Sequence, residues 1–391
     1  MKPYLLGIDI GTSACKVAIF EKSGNVVAAV NGDYPVYYPK EGWAEQNPEE
    51  WWSAVCSAVK KAIRKAGIVP DEIAGIGIDG QSWSAIAMDK DGNVLTNTPI
   101  WMDTRAQSIC DRLNEEIGAD KIFEVSGNSL QPSYTTAKIL WYKENMPEVY
   151  EKIDKILQSN SFIAYKLTGV MSQDVSQGYG LHCFDMRRAV WDEAMCRRLG
   201  IPLEFLPEIC DCDHIVGTVT EKAAEEAGLA AGIPVVAGGL DAACGTLGAG
   251  VIHPGETQEQ GGQAGGMSIC MDEYKADPRL ILGYHVVPGQ WLLQGGTTGG
   301  GGVMRWFERE FADYERMMTG EGKGSSLNQL NEIAEKIAPG SDGVVFLPYM
   351  SGERSHLESK CKRRFLWTGF CKDQGPYGTR LHGRCGTFTE A

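Results

Sequence analysis

The sequence predicts an α/β fold made of two similar modules, and three observations support this. Apolar residues alternate with a period of two over residues 4–10, 15–20 and 26–30, then switch to helical spacing over residues 48–65. The 48 glycines gather in short loops between apolar stretches, where glycine permits positive φ or close approach of a ligand. After residue 250 the plan restarts, with a glycine loop between strand-like flanks followed by a hairpin pattern.

The elements follow in order. Residues 4–10 and 15–20 form a hairpin around Gly11-Thr12-Ser13, and residues 26–30 add a third strand after Ser23-Gly24-Asn25. Asn47 is the expected N-cap of a helix over 48–65, with Pro48 at its first position. Residues 73–78 and 83–88 read as strands, 107–230 as mostly helical, and 234–239 as a strand emptying into a glycine turn before a helix over 240–250. A further hairpin is expected at 282–294, turning at Pro288-Gly289, and a helix over 303–311. The domains are placed at residues 1–245 and 246–355.

Composition excludes several classes of function. With 51 acidic against 37 basic residues, the net charge of −14 opposes nucleic acid. No apolar run approaches the roughly 20 residues of a membrane span, and the first residues do not read as a secretory signal, so a cytoplasmic protein with no membrane partner is expected. The 12 cysteines form no C-x-x-C pair. Cys210-Asp211-Cys212 with His214 comes nearest to a metal cluster, and ordinary reduced thiols explain it better.

Gly75-Ile76-Gly77-Ile78-Asp79-Gly80 matches G-x-G-x-x-G, but a strand-like segment follows where dinucleotide binding needs a helix. No phosphate loop of the G-x-x-x-x-G-K-[ST] type occurs. Asp9-Ile10-Gly11-Thr12-Ser13 suits a phosphate cradle: its small residues expose backbone N–H groups, Lys16 supplies positive charge, and Asp9 could hold magnesium through water. The same turn also suits a bare hairpin. Gly261-Gly262-Gln263-Ala264-Gly265-Gly266 is a second cradle, and two such loops could clamp a polyphosphate from both domains.

These residues carry a resemblance. Gly7-Ile8-Asp9-Ile10-Gly11-Thr12-Ser13, Gly42-Trp43-Ala44-Glu45-Gln46 with Trp51-Trp52, Gly77-Ile78-Asp79-Gly80-Gln81, Trp101-Met102-Asp103-Thr104-Arg105, Gly238-Gly239-Leu240-Asp241 and Phe346-Leu347-Pro348-Tyr349-Met350-Ser351-Gly352-Glu353-Arg354 resemble, in order, the FGGY family of carbohydrate kinases, in its xylulokinase-like group. The resemblance implies two ribonuclease-H-like domains of the actin, Hsp70 and sugar-kinase type, the second incomplete. It also implies a sugar held by the first domain, ATP with Mg2+ in the cleft between the two, and it leaves a homodimer open.

Carried over by resemblance, Asp241 is the catalytic base and also touches the sugar; its structural alternative is an N-cap on the next helix. Gln81, Ser82, Trp83, Asp103 and Arg105 stand at sugar-side positions, where Arg105 can equally orient Asp103 and Trp101 reads as core. Gly11, Thr12, Ser13, Lys16, Gly262, Gly265 and Gly266 stand at phosphate positions. Gly299 and Gly300 precede a helix whose N-terminus suits an anion, or they form a packing turn. Two departures matter: Ser82-Trp83-Ser84 replaces the Met-His-Gly of xylulokinases, which puts xylulose itself in doubt, and Gln263-Ala264-Gly265 replaces a Gly-Thr-Ser.

Residues 356–391 break the pattern, with seven Lys or Arg against three Asp or Glu, neither Ile nor Val, and no legible period. Codons for the residues after Ser355, shifted by one base, can encode a family-like continuation, so a frameshift there is the expectation and resequencing its test. Such a chain would lack a C-terminal layer, leave residues 344–347 without partners and turn over weakly. The competing reading is a non-catalytic sugar-binding remnant.

Overall fold

The computed structural model describes residues 3–261, 265–297, 299–319, 325–347 and 364–367. They divide into two compact units, residues 1–256 with 269–293, and residues 257–268 with those from 294 onward.

The first unit is organised by a seven-stranded sheet. Its strands are β1 (Tyr4–Ile10), β2 (Ala14–Glu21), β3 (Val26–Asp33), β4 (Ile73–Gly80), β5 (Ile215–Thr218), β6 (Pro234–Val236) and β7 (Gly239–Leu240). The order is β5-β6-β4-β1-β2-β3, and β7 also pairs with β4. β1, β2 and β3 are antiparallel neighbours, whereas β4 runs parallel to β1, β6 and β7. Period-two alternation buries Leu6, Ile8, Ile10, Val17, Ile19, Ile76 and Ile78 on a common core.

Helix α1 (Pro48–Ala66) covers this core with Trp51, Val55, Val59 and Ala62. As the sequence predicts, Asn47 accepts a hydrogen bond from Glu49 N and Pro48 opens the helix; Gly67, at φ 68°, closes it. Further helices are α2 (Thr135–Asn145), α3 (Ser159–Thr168), α4 (Val175–Gly178) and α5 (Asp241–Gly248). Gly80 admits no side chain, because a Cβ would stand 2.3 Å from Ser159 Oγ at the start of α3. Gly238 has φ +74°, and a Cβ there would lie 1.8 Å from Ile78 O.

Several sequence expectations need correction. In the segment read as a strand over 83–88, only Ile86–Met88 pairs, because Trp83 takes a left-handed φ of 57° that breaks the ladder. The span 107–230 contains short strands, including Ser172–Asp174 and Glu208–Cys210, too brief to leave a clear period. Residues 75–80 lie within one continuous strand.

Further along the chain, Thr257–Gly261, Gly265–Met271, Trp291–Thr297 and Ile281–Tyr284 form a four-stranded sheet in that order. A helix spans Gly301–Phe311, beginning two residues before the expected start. Within the tail, where the sequence shows no legible period, Arg364–Trp367 pairs antiparallel with Val344–Leu347, in register from Val344↔Trp367 to Leu347↔Arg364. Residues 344–347 therefore have a strand partner. Among the described residues no helix is long and apolar enough to cross a membrane.

Candidate active site

Three strand ends converge at one edge of the first unit. β1 and β4 run side by side with Asp9 opposite Asp79, and β7 brings Gly239 opposite Asp79 and Leu240 opposite Gly80. The next residue is Asp241. Three carboxylates thus gather at the C-terminal ends of adjacent parallel strands, the place where open α/β sheets bind ligands. Gly238 is needed because the chain passes directly over Ile78, and Gly239 because a Cβ there would lie 2.8 Å from Ser176 Oγ and 2.9 Å from Val286 Cγ1.

The electrostatics follow from this crowding. Asp241 is partly buried, and loss of hydration pushes its carboxyl up to about 7; Asp9 pushes the same way, while the Ala242 N–H and the Lys16 ammonium oppose. Asp79 is held well above the carboxylate range by burial first, then by the charges of Asp9 and Asp241 and a hydrogen bond with Asp9. Lys16 Nζ pairs with Asp9 Oδ2 at 2.9 Å, which raises the lysine. Asp241 is the first residue of α5, with Leu240 at its cap, and accepts from Ala242 N at 2.6 Å. A free carboxylate oxygen with a pKa near neutrality suits a general base.

The turn between β1 and β2 is closed by Gly11 N donating to Ala14 O. A Cβ at Gly11 would sit 3.0 Å from Ala14 O. Thr12 O accepts from Gln46 Nε2 at 2.8 Å, and Thr12 Oγ1 accepts from Trp101 Nε1 at 3.0 Å, leaving the hydroxyl hydrogen to donate elsewhere. Trp101 is half-buried and packs against the hydrophobic cluster of Trp83 and Tyr134, as the core reading expects, while its indole N–H bonds to Thr12. Ser13 is exposed at the turn.

Gln81 is buried; its Nε2 donates to Gln46 Oε1 at 2.7 Å, and its Oε1 has no hydrogen-bond partner, an acceptor that a ligand hydroxyl could satisfy. Ser82 beside it is half-buried. Trp83 stacks on Tyr134 with centroids 4.1 Å apart and meets Tyr179 edge-on at 5.8 Å. Its left-handed backbone is strained by about 1–3 kcal/mol.

Asp103 and Arg105 bond to each other and to neighbouring loops. Asp103 is fully buried, and its two oxygens accept from Ala44 N at 2.7 Å, Arg105 N at 3.0 Å and the Arg105 guanidinium at 2.7–3.0 Å. Arg105 also reaches Glu45 at 2.7 Å and stacks on Trp43, its carbon 3.8 Å from the ring centre. The pair is a strut between two loops, with no acceptor to spare for a sugar.

In the second unit the glycine segments pack together. A Cβ on Gly265 would lie 3.1 Å from Thr297 Cγ2 and 3.5 Å from Gly300 Cα, and one on Gly266 would lie 3.3 Å from Gly295 O. Gly299 N donates to Thr297 Oγ1 at 3.3 Å, and Gly300 caps the helix Gly301–Phe311 with no side chain bonded there. Gly262 lies outside the described residues.

The sequence left Asp79 without a role, although it stood inside a motif already singled out; its place in register with Asp9 supplies one. Asn160, Asp174, Ser176 and Gln177 were missed altogether. Gln177 Nε2 donates to Gly80 O and Gln81 O at 3.2 Å, Ser176 Oγ accepts from Leu240 N at 2.8 Å, and Asp174 accepts from Ser176 and Asn160. This buried network ties the end of β4 to the start of α5. The Cys210–Cys212 segment packs on it, Cys212 Sγ lying 3.9 Å from Asp174 Oδ1. Among the described residues no group of three His, Cys, Asp or Glu could by itself hold a metal ion.

Carboxylates thus gather at the ends of parallel strands, one of them on the strand that leads into the glycine-hydroxyl turn, and comparison with known proteins gives the family. The chain belongs to the FGGY family of carbohydrate kinases, whose N-terminal domain it matches over residues 4–248. It is 30% identical to the xylulose kinase of Bacillus subtilis over 362 residues, 92% of this chain and 70% of that protein. It is 29% identical to the gluconokinase of Bacillus licheniformis, over 91% of this chain and 69% of that protein. The crystal structure of xylulose kinase from Rhodospirillum rubrum superposes with a TM-score of 0.83 at 26% identity, covering 95% of this chain and 74% of that one. The fold is therefore the mixed α/β fold of these kinases.

Proposed function

We propose that the protein transfers the terminal phosphoryl group of ATP to a hydroxyl of a pentulose or related open-chain polyol. The observation that carries this is Asp241, a carboxylate tuned to about 7 at the end of β7 beside Asp9 and Asp79. Ionised, Asp241 accepts the proton of the sugar hydroxyl as that oxygen attacks the γ-phosphorus and the bond to ADP breaks. Gln81, with its unpaired acceptor, and Trp83 supply polar and stacking contacts to the sugar. The Gly11-Thr12-Ser13 turn and Lys16 meet phosphate oxygens, the turn through its backbone N–H groups and the lysine through its charge.

Magnesium fits this donor set. Asp9 and Asp79 are hard oxygen donors in register, and their mutual repulsion is what a divalent cation relieves. Asp9 and Asp79 would be the residues that hold it. When bound it would neutralise charge on the phosphates.

The relatives named above act on xylulose and gluconate, which supports a substrate of this class. The test is ADP release with xylulose, ribulose, gluconate and glycerol, alongside calorimetry with each. Sugar-dependent ADP release that Asp241→Asn abolishes while sugar affinity survives supports the proposal. Sugar binding without turnover identifies the non-catalytic alternative.

A further inference from the structure

Lys138 is fully buried in the first turn of α2. That is an unfavourable place for a cation, since it is desolvated and lies at the positive end of the helix dipole. An apolar side chain of similar volume would fill the space. What its ammonium does is donate to three backbone carbonyls: Trp83 O at 2.7 Å, Ile100 O at 2.8 Å and Ser133 O at 2.7 Å.

These carbonyls belong to three separate segments, and each segment presents an aromatic side chain at or beside the bonded residue. Trp83 carries its own indole, Ile100 precedes Trp101, and Ser133 precedes Tyr134. Trp83 and Tyr134 stack on each other, and Trp101 packs against the same cluster while its Nε1 reaches Thr12 Oγ1. Tyr179 is edge-on to both Trp83 and Tyr134, and its hydroxyl is pushed upward by burial first, then by Tyr134 and by Asp241. Trp83 is also one of three non-glycine residues at positive φ among the described residues, a strained backbone whose carbonyl Lys138 grips.

We propose that Lys138 is a specificity-determining positioning residue, a three-way clamp that sets the aromatic wall of the sugar site formed by Trp83, Trp101 and Tyr134. The proposal rests on the kinase reading of the site. Lys138 touches no reacting atom in that reading; it acts through the backbone of the residues that carry the aromatic wall. With its three donors spent on three loops, one substitution loosens all three at once.

The test compares wild type with Lys138→Met, which keeps volume but removes every donor, and Lys138→Arg, which keeps charge in a planar fork that cannot point at three converging carbonyls. Calorimetry with xylulose and gluconate, and separately with Mg2+ and ATP, is read beside steady-state kinetics. Orphaned carbonyls in K138M should weaken sugar binding by about tenfold or more, and K138R by less, with ATP affinity held within about twofold. The KM for sugar should rise while kcat changes little, and the preference between the two sugars should shift. Folded variants with unchanged sugar affinity and preference overturn the proposal alone. If K138M does not fold, K138R decides the matter by the same criterion. A wild-type chain that binds no sugar overturns the kinase reading, and the proposal with it.

Discussion

Asp9 and Asp79 face each other across neighbouring parallel strands, and the carboxyl of Asp79 shares a hydrogen bond with that of Asp9. Burial first, and then the charges of Asp9 and Asp241, hold the Asp79 carboxyl well above the usual carboxylate range, so Asp79 keeps its proton beside Asp241.

Asp241→Asn should lower turnover by about 10²- to 10⁴-fold, the range for losing a general base. Sugar affinity should stay within a few fold, because the amide keeps shape and polarity. Wild-type kcat/KM should rise with pH through about 7 as Asp241 loses its proton. A flat profile between pH 6 and 8 would remove Asp241 from the role of base.

The same carboxyls set the pH dependence of stability. Asp241 titrates near 7 when folded, against about 4 in the unfolded chain, so the folded state binds more protons across that window. The stabilising contribution is complete below about 4 and is lost as pH rises through about 7. Asp79 is shifted in the same direction. Urea unfolding should show Asp79→Asn gaining on wild type as pH goes from 5 to 8, and magnesium should narrow the gap.

Arg105→Lys separates a strut from a substrate contact. A single ammonium cannot replace the guanidinium that grips both oxygens of buried Asp103 and also reaches Glu45, so the variant should lose about 3 kcal/mol of stability. In the fraction that folds, the KM for sugar should stay close to wild type. A large rise in KM with unchanged stability would restore Asp103 and Arg105 to the sugar.

Gln46→Leu should cost about 2 kcal/mol, because Thr12 O, Pro35 O and Gln81 Nε2 all lose their partner in a buried setting. Chemical denaturation gives the loss directly. Since the Thr12 turn is held by this amide, the KM for ATP should rise as well.

What the sequence determined by itself was local. Period-two and helical spacing marked the first three strands, helix α1 with its Asn47 cap, and the glycine turns around Asp9 and Asp241, because each depends on neighbours a few residues away. Ordered motifs carried the family. The tertiary structure decided which polar residues face the site and which are consumed within the fold. Asp103 looks available in sequence, yet Ala44 N, 59 positions away, takes one of its lone pairs. Lys138 looks like an ordinary surface lysine on a helix, yet a carbonyl 55 positions away holds it in the core. Asp79 gains its role only when β1 and β4 align. In each case the deciding quantity is loss of water together with a partner distant along the chain, and neither is written in local spacing.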